Sequence, residues 1–197
     1  MAKNMQPILK RCRTLGIEPS VMGIDKSSNR NPKPMRKKQS EYGRQLTEKQ
    51  KVKFIYGMLE KQFRKYYHIA TKMPGVAGEN LLSLLESRID NVVFRLGLAN
   101  TRRESRQMVN HGHVLVNGKR LDIPSYRVKV GDVITLKEQT QTSDRIKAIV
   151  EANSSRLVPK WLDMDKNTLS GKVIAMAQRD DIDFEVEEHL IVELYSK

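Results

Sequence analysis

Residues 101–121 read TRRESRQMVNHGHVLVNGKRL and contain a helix start, a helix end and a tight turn in direct succession. Thr101 followed three residues later by Glu104 forms a capping box, which predicts a helix that begins at the next residue. Gly112 is expected to end that helix. An Asn-Gly pair at 117–118, flanked by apolar residues, is the strongest local signal for a β-hairpin with a type I′ turn. The stretch therefore predicts a short helix followed at once by two antiparallel strands.

Three arginines lie at the start of this helix, Arg102, Arg103 and Arg106. The N-terminus is the positive end of the helix dipole, where each cation is unfavourable by about 0.3–1 kcal/mol. Exposed amides and guanidinium groups at a helix start can bind an anion such as phosphate. We therefore predict that these arginines bind phosphate and that exchanging the first two for glutamate leaves stability unchanged or raises it. Solvated surface arginines are one alternative, and structural arginines paired with Glu86 or Asp90 are another.

The charge of the chain is concentrated in its first two thirds. The 197 residues include 36 Lys and Arg against 23 Asp and Glu, which gives a formal net charge of +13. Residues 1–66 contribute +12, residues 67–120 contribute +4 and residues 121–197 contribute −3. Such asymmetry is typical of a protein that binds a polyanion, and nucleic acid is favoured because no helix combines a basic face with a Trp/Phe/Leu face for a membrane surface.

Other global features exclude several classes of protein. Because Cys12 is the single cysteine, neither an intrachain disulfide nor a cysteine-based zinc site is expected, and we interpret it as a small, partly buried residue. No apolar run approaches about 18 residues, and residues 1–12 lack the apolar core of a signal peptide. We therefore expect a cytoplasmic protein.

The basic N-terminal segment is predicted to be residues 1–44. Residues 26–45, KSSNRNPKPMRKKQSEYGRQ, are rich in Ser, Asn, Pro and basic residues and lack apolar periodicity. We expect this part to be poorly ordered alone and to become ordered against RNA, with Tyr42 offering a ring for stacking or packing. A disposable solvated tail is the alternative.

Two longer amphipathic helices are predicted from apolar spacing. Residues 47–67, TEKQKVKFIYGMLEKQFRKYY, open with a second capping box, Thr47 and Gln50, and predict one continuous helix. Residues 79–99, ENLLSLLESRIDNVVFRLGLA, predict another helix that ends at Gly97. Its apolar residues are expected to form core: Leu81, Leu82, Leu85, Ile89, Val92, Val93 and Leu96.

The last third of the chain is harder to interpret. Alternating residues in SYRVKVGDVITLKE predict strands on both sides of a turn at 131–132. Residues 171–177, GKVIAMA, are typical of a returning strand, and residues 185–197, EVEEHLIVELYSK, of a final helix. That helix is expected to face inward with Leu190, Ile191 and Leu194. The path of residues 139–180 is not predicted.

The order of these elements matches a known family. Residues 87–134, SRIDNVVFRLGLANTRRESRQMVNHGHVLVNGKRLDIPSYRVKVGDVI, closely resemble the RNA-binding module of the bacterial small-subunit ribosomal protein S four family. The resemblance continues through LLSLLESR and HLIVELYSK and covers most of the chain. It implies an α+β fold in which a helical domain, residues 45–86 completed by 180–197, carries an inserted RNA-binding domain, residues 87–179 with a motif core at 87–150. The inserted domain should have short helices packed on a small, mostly antiparallel sheet.

The resemblance also implies a function. The expected protein is a structural constituent of the ribosome, with no enzymatic activity, that binds 16S ribosomal RNA as a primary binder and nucleates assembly of the 30S body. It is expected to contribute to translational accuracy in the cytoplasm and to contact ribosomal protein S five and the messenger RNA where it enters the subunit. No cofactor or membrane is expected. Many relatives hold zinc with four N-terminal cysteines, and because Cys12 is alone here, that metal site is not expected.

The candidate RNA-binding residues fall into two sets. We expect the hairpin to present its polar residues near the start of the preceding helix. In the inserted domain the candidates are Arg102, Arg103, Arg106, Gln107, His111, His113, Asn117, Lys119 and Arg120. In the N-terminal segment and the helical domain they are Arg36, Lys37, Lys38, Tyr42, Arg44, Lys49, Lys53, Arg64 and Lys65.

The sequence has features of three other classes of protein. Residues 118–122, GKRLD, approach the Gly-Arg-Leu-Asp motif of pseudouridine synthases, but a lysine interrupts it and no segment is left for a catalytic domain. His111 and His113 form a His-x-His pair, yet no further Cys or His lies close in sequence to complete a metal site. A free RNA regulator, such as a repressor or a factor acting on stalled ribosomes, would have similar charge.

Overall fold

The computed structural model describes residues 6–26, residue 30 and residues 40–196. In these residues the helices are α1 (Ile8–Leu15), α2 (Glu41–Ile55), α3 (Glu60–Ala70), α4 (Ala77–Glu86), α5 (Ile89–Arg95), α6 (Arg102–Asn110), α7 (Glu138–Gln141), α8 (Asp144–Ala152) and α9 (Glu188–Ser196). The strands are β1 (Val114–Val116), β2 (Lys119–Leu121), β3 (Val133–Leu136), β4 (Leu162–Asp165) and β5 (Ser170–Val173). Short 3₁₀ helices span Pro19–Met22 and Arg179–Asp181. The predicted α+β class is confirmed.

The chain divides into two compact units. The first comprises the described residues up to Leu81 together with those from Asp183 onward, and the second is Leu82–Ile182. In the first unit α9 packs against α2, and α1 also contacts α2. A helix from the end of the chain therefore belongs to the same unit as the N-terminal helices. As predicted for that helix, Leu190 and Ile191 are buried, whereas Leu194 is partly exposed.

The N-terminal part of the chain contains structure that the sequence did not predict. Residues 8–15 form α1, which a 3₁₀ helix follows within the same segment. Cys12, Leu15 and Met22 are buried there, so this segment contributes apolar side chains to a core. Cys12 is fully rather than partly buried, and burial raises the pKa of its thiol, which favours the neutral, unreactive form.

The predicted continuous helix over residues 47–67 is wrong, because two helices occupy this stretch. The Ser40 hydroxyl caps α2 by accepting a hydrogen bond from the Gly43 amide at 3.2 Å. Thr47 is therefore interior to α2, where its hydroxyl donates to the Gly43 carbonyl at 2.8 Å. Gly57, with φ of +62°, follows the end of α2, and α3 begins three residues later. Apolar spacing continues across this break, so periodicity alone does not reveal it.

The predicted helix over residues 79–99 is also divided, into α4 and α5. Ser87 and Arg88 between them pair with another segment instead of continuing the helix. The Val128 amide donates to the Ser87 carbonyl at 2.9 Å, and Arg88 forms an isolated antiparallel bridge with Arg127. These distant partners replace the helical hydrogen bonds at this point. The seven predicted core residues are nevertheless all buried.

The second unit contains a five-stranded antiparallel sheet in the order β2-β1-β3-β5-β4. The predicted hairpin is confirmed, since Val116 pairs with Lys119 and the two turn residues have φ of +51° and +76°. Two positive φ values define a type I′ turn, which Asn117 and Gly118 adopt at low cost. Before the Gly131 turn, the predicted strand is reduced to the isolated Arg127 bridge, whereas β3 follows the turn as expected.

One apolar core lies between the sheet and the helices of the second unit. It includes Val92 and Val93 from α5, Val109 from α6 and Ile134 from β3, all with 0% exposure. Ile149 from α8 and Trp161 also belong to this core. Because α6 and the hairpin share this core, the end of α6 is fixed beside β1 and β2.

Candidate nucleic-acid interface

One half of the capping box predicted at the start of α6 is present. The Thr101 hydroxyl accepts a hydrogen bond from the Glu104 amide at 3.2 Å. Glu104 completes the cap differently, because its Oε2 accepts from the amide of Asn100 at 3.0 Å rather than from that of Thr101. α6 therefore begins at Arg102. The Thr101 side chain provides an acceptor for one of the first-turn amides that have no partner within the helix.

Arg102 is not on the surface. Its exposure is 7%, its Nε donates to Asn91 Oδ1 at 2.8 Å, and its Cζ lies 4.3 Å from the centre of the Phe94 ring. Asn91 in turn donates to Glu86 Oε2 at 2.6 Å. The expectation that this guanidinium is exposed is therefore wrong, because the side chain turns back onto α5. Because of these contacts we now expect a glutamate at position 102 to lower stability, in contrast to the prediction from the sequence.

Glu86 is the buried acid beneath this arrangement. Arg95 approaches it with two nitrogens, at 3.0 Å from Nε to Oε2 and at 2.8 Å from Nη2 to Oε1. Both side chains are almost fully buried. A bidentate pair with further hydrogen bonds is the geometry in which a buried charge is tolerated, so Glu86 and Arg95 link α4 to α5.

Asp90 holds a second group of arginines. Arg88 makes a bidentate contact with it, with Nε to Oδ1 at 3.0 Å and Nη2 to Oδ2 at 2.6 Å. Arg106 Nη1 reaches the same carboxylate at 3.1 Å. The hydroxyl of Ser105 also donates to the Asp90 carbonyl. The side chain of Arg106 is 22% exposed, so a guanidinium anchored by Asp90 reaches the surface beside α6. Arg103 is exposed.

A cleft runs along one face of α6, from Glu104 in its first turn to His111 at its C-terminal cap. Its volume is about 380 Å³, and it is lined by side chains from α6, the hairpin and the segment that follows β3. We call it the histidine cleft and define it by Gln107, His111, His113, Arg120, Lys137 and Arg145. Four of these were predicted from sequence. They are distributed along α6 and the hairpin, and Glu104 in the first turn of α6 lines the same cleft.

The polar side chains in the histidine cleft are held in place. The rings of His111 and His113 are 6.1 Å apart between centres and inclined by 22°. The Nδ1 atom of His113 lies 3.0 Å from the Thr140 hydroxyl. Arg145 pairs with Glu104 at 2.8 Å. Since that acid offsets one of three cations, the cleft has a formal excess of positive charge without counting the imidazoles.

Arg120 reaches the cleft because residue 112 is a glycine. A Cβ atom at Gly112 would lie 2.6 Å from Nη2 and 2.7 Å from Cζ of Arg120, and it would also collide with Nε. The edge of the guanidinium group thus rests where any other residue would place its side chain. Because the contact uses an edge, Gly112 does not cover the planar faces of the group.

Asn117 and Lys119 have different surroundings. Asn117 donates to Asp132 Oδ1 at 2.9 Å and accepts from the Val133 amide at 2.9 Å. It therefore fixes the hairpin turn against the next strand. Lys119 is exposed at the start of β2 and does not line the cleft.

Several candidates in the first unit are engaged in ion pairs. Lys49 and Lys53 contact the two carboxylate oxygens of Glu60 at 3.0 and 2.9 Å. Arg44 lies 3.6 Å from both Glu41 and Glu187. Arg64, Lys65 and Tyr42 are exposed. Arg36, Lys37 and Lys38 lie outside the described residues.

Glu60 joins three elements of the first unit. In addition to both lysines, it accepts a hydrogen bond from the Tyr195 hydroxyl at 2.7 Å. Burial alone would raise the pKa of Glu60, but the hydrogen bonds from Lys53, Tyr195 and Lys49 outweigh it and lower the pKa to about 2. Burial, followed by the bond to this carboxylate, raises the pKa of Tyr195. The Tyr195 ring also stacks on that of Tyr67, with the ring centres 4.6 Å apart. Tyr195 therefore joins α9 to α3, and the contacts of Glu60 with Lys49 and Lys53 join α3 to α2.

Comparison with known proteins gives a consistent result. The S4 domain family matches residues 87–134, and the family described as Ribosomal protein S4/S9 N-terminal domain matches residues 3–86. Small ribosomal subunit protein uS4 of Agathobacter rectalis is 58% identical over 197 residues, and that of Lachnospira eligens is 56% identical, with all of both chains covered. The protein of the same name from Fusobacterium nucleatum is 51% identical over 198 residues, again with all of both chains covered. The chain belongs to the small ribosomal subunit protein uS4 family.

Membership of the uS4 family identifies the chain as a ribosomal protein and not an enzyme, as the sequence predicted. The matched S4 domain contains α5, α6 and the hairpin, and with them the four predicted residues of the histidine cleft. Lys137 and Arg145 follow that segment and were not predicted. Nothing local marks these two cations, because they join the cleft only through the packing of the chain after β3.

The described residues also bear on a membrane and on a metal. Among the helices of the described part of this uS4-family chain, none has both the length and the apolar composition needed to span a bilayer. Over the same residues, no group of three or more His, Cys, Asp or Glu side chains has the arrangement of a metal site.

Proposed function

We propose that this uS4-family protein is a primary binder of 16S ribosomal RNA that nucleates assembly of the 30S body and contributes to translational accuracy. The observation that carries the proposal is the full-length similarity to small ribosomal subunit proteins. Family membership makes the chain a structural constituent of the small ribosomal subunit, in the bacterial cytoplasm. Its net charge of +13 supports a role in contact with an RNA backbone.

Two sets of cations are suited to this role. In the second unit, Arg103 and Arg106 lie at the start of α6, and Asp90 fixes the guanidinium of Arg106. A cation fixed before binding loses less side-chain entropy when it meets a phosphate. In the first unit, Arg64 and Lys65 are exposed on α3. We propose that these residues contact phosphates, while Lys49, Lys53 and Arg44 contribute at most by exchanging their present acidic partners.

We also propose the domain division and the partners implied by the sequence. The helical domain would consist of residues 45–86 and 180–197, with residues 87–179 inserted as the RNA-binding domain and residues 1–44 as a basic extension. The compact units, with Leu82–Ile182 as one of them, support an insertion of this kind. Ribosomal protein S five and the messenger RNA near its path into the subunit are the proposed neighbours.

Filter binding tests the proposal. The full-length protein is titrated with a 16S fragment from the part of the RNA that forms the 30S body, and with a 23S fragment of equal length as the control. Preferential binding to the 16S fragment is the expected result. Equal affinity for both fragments would contradict a primary 16S binder and leave only the general electrostatic attraction.

Order of assembly gives a second test. When the protein is added to protein-free 16S RNA, it is expected to bind without any other ribosomal protein. Its presence in washed 30S particles at one copy per particle is also expected. Recovery only in ribosome-free fractions would favour a free RNA regulator instead.

A further inference from the structure

The histidine cleft differs from the other basic surfaces of the chain in shape and in chemistry. Contact with a helical RNA backbone requires only exposed cations, as on α3. Here the cations surround a recess of about 380 Å³, a volume within the range of small-ligand sites. Met108 and Ile146, both nearly buried, contribute apolar surface to the recess. A recess lined by both apolar and cationic side chains suits a ligand with one flat face and one anionic end.

Three planar groups line the same recess. The imidazoles of His111 and His113 are inclined by only 22°, and contact with Thr140 restrains the second ring. The guanidinium of Arg120 meets Gly112 at its edge, so Gly112 covers neither of its faces, and Arg120 is an exposed residue. Unstacked RNA bases are bound in proteins by stacking on His rings and on Arg guanidinium planes. Lys137 provides a cation close by for the attached phosphate.

We propose that the histidine cleft binds a single unpaired nucleotide of RNA, with the base stacked on Arg120 and the imidazoles and the phosphate near Lys137. This inference rests on the proposed function, since it assigns one subsite of the RNA surface. It adds a specific claim, namely that the protein binds an extruded base in addition to backbone phosphates. Arg145 is a weaker candidate for the phosphate because Glu104 already pairs with it.

The histidines provide a direct readout. The chain has four, and His68 and His189 lie outside the cleft and serve as internal controls. The full-length protein is observed by NMR at the imidazole C–H groups while uridine 5′-monophosphate, adenosine 5′-monophosphate or inorganic phosphate is added. We expect the nucleotides to shift the resonances of His111 and His113 and not those of His68 and His189. Inorganic phosphate should bind about 5- to 150-fold more weakly, because it lacks a base to stack and a stacked base contributes a factor of that size.

Three variants separate stacking from charge. Arg120→Ala should weaken nucleotide binding about tenfold. Arg120→Lys keeps the charge but removes the planar guanidinium group. It should therefore weaken nucleotide binding by a similar factor and leave the affinity for inorganic phosphate within about twofold. Lys172→Ala removes an exposed strand cation elsewhere on the sheet and should change neither affinity. Unshifted amide spectra away from the cleft verify that each variant is folded.

The 16S fragment distinguishes the failure of this inference from failure of the proposed function. If the fragment binds tightly and His111 and His113 do not respond, the nucleotide site is refuted while 16S binding stands. If the fragment does not bind, the proposed function itself fails. Equal affinity for nucleotides and inorganic phosphate, or an unchanged nucleotide affinity in Arg120→Lys, would also overturn the stacking site and leave a simple anion contact.

Discussion

Single charge reversals at two adjacent arginines test how the start of α6 is built. Arg102→Glu removes a charged hydrogen bond to Asn91, worth about 1.5–3 kcal/mol, and a cation–π contact with Phe94, worth about 0.5–2 kcal/mol. It also places a carboxylate in a site where 7% of the present side chain is exposed, near the buried Glu86. We expect a loss of at least about 3 kcal/mol in the free energy of unfolding, or about 6–12 °C in Tm.

Arg103→Glu is the matched control, because it makes the same change of charge one residue later on an exposed side chain. An acid in the first turn complements the helix dipole, so stability should stay unchanged or rise by about 0.3–1 kcal/mol. Its affinity for the 16S fragment should fall. Urea unfolding and filter binding are measured on both variants. If Arg102→Glu unfolds within about 0.5 kcal/mol of the unmodified protein, the buried role of Arg102 is refuted.

Three more outcomes are expected. Affinity for the 16S fragment should fall with salt at a log-log slope of about −0.7 to −0.9 per phosphate contact, and binding insensitive to salt would contradict the electrostatic account. Thr101→Ala should cost about 1 kcal/mol of stability through the lost cap, as measured by urea unfolding, with Thr142→Ala in an exposed turn as the comparison. The pKa of Glu60 is lowered in the folded state from 4.5 to about 2, so its contribution to stability is present above pH 4.5 and is lost as the pH falls toward 2. Because 45% of this side chain is exposed, solvent screening limits the contribution to about 1 kcal/mol. In Glu60→Gln, the free energy of unfolding should therefore fall by about 1 kcal/mol less between pH 4.5 and pH 2 than in the unmodified protein.

Interactions between near neighbours in the chain were the ones that could be predicted. The type I′ hairpin depends on the φ preferences of Asn117 and Gly118, and the helix start depends on a hydroxyl three residues from the amide that it caps. The core residues of α4 and α5 follow from apolar spacing and remain buried even though the predicted helix is divided. Family resemblance added the order of the elements and the α+β class.

Sequence spacing brings Arg102, Arg103 and Arg106 to one helix start, but it does not say which of them turns inward. That depends on Asn91, Phe94 and Asp90, which reach these side chains only after α5 packs against α6. The break at Ser87 has the same origin, since Val128 supplies its hydrogen bond from 41 residues away. The histidine cleft also needs the chain after β3 to contribute Lys137 and Arg145. The sequence by itself thus determined the hairpin turn, the Thr101 cap and the apolar faces, because those energies are local. The tertiary structure decided which charges are buried and which line a cleft, because burial of a charge depends on partners distant in the chain.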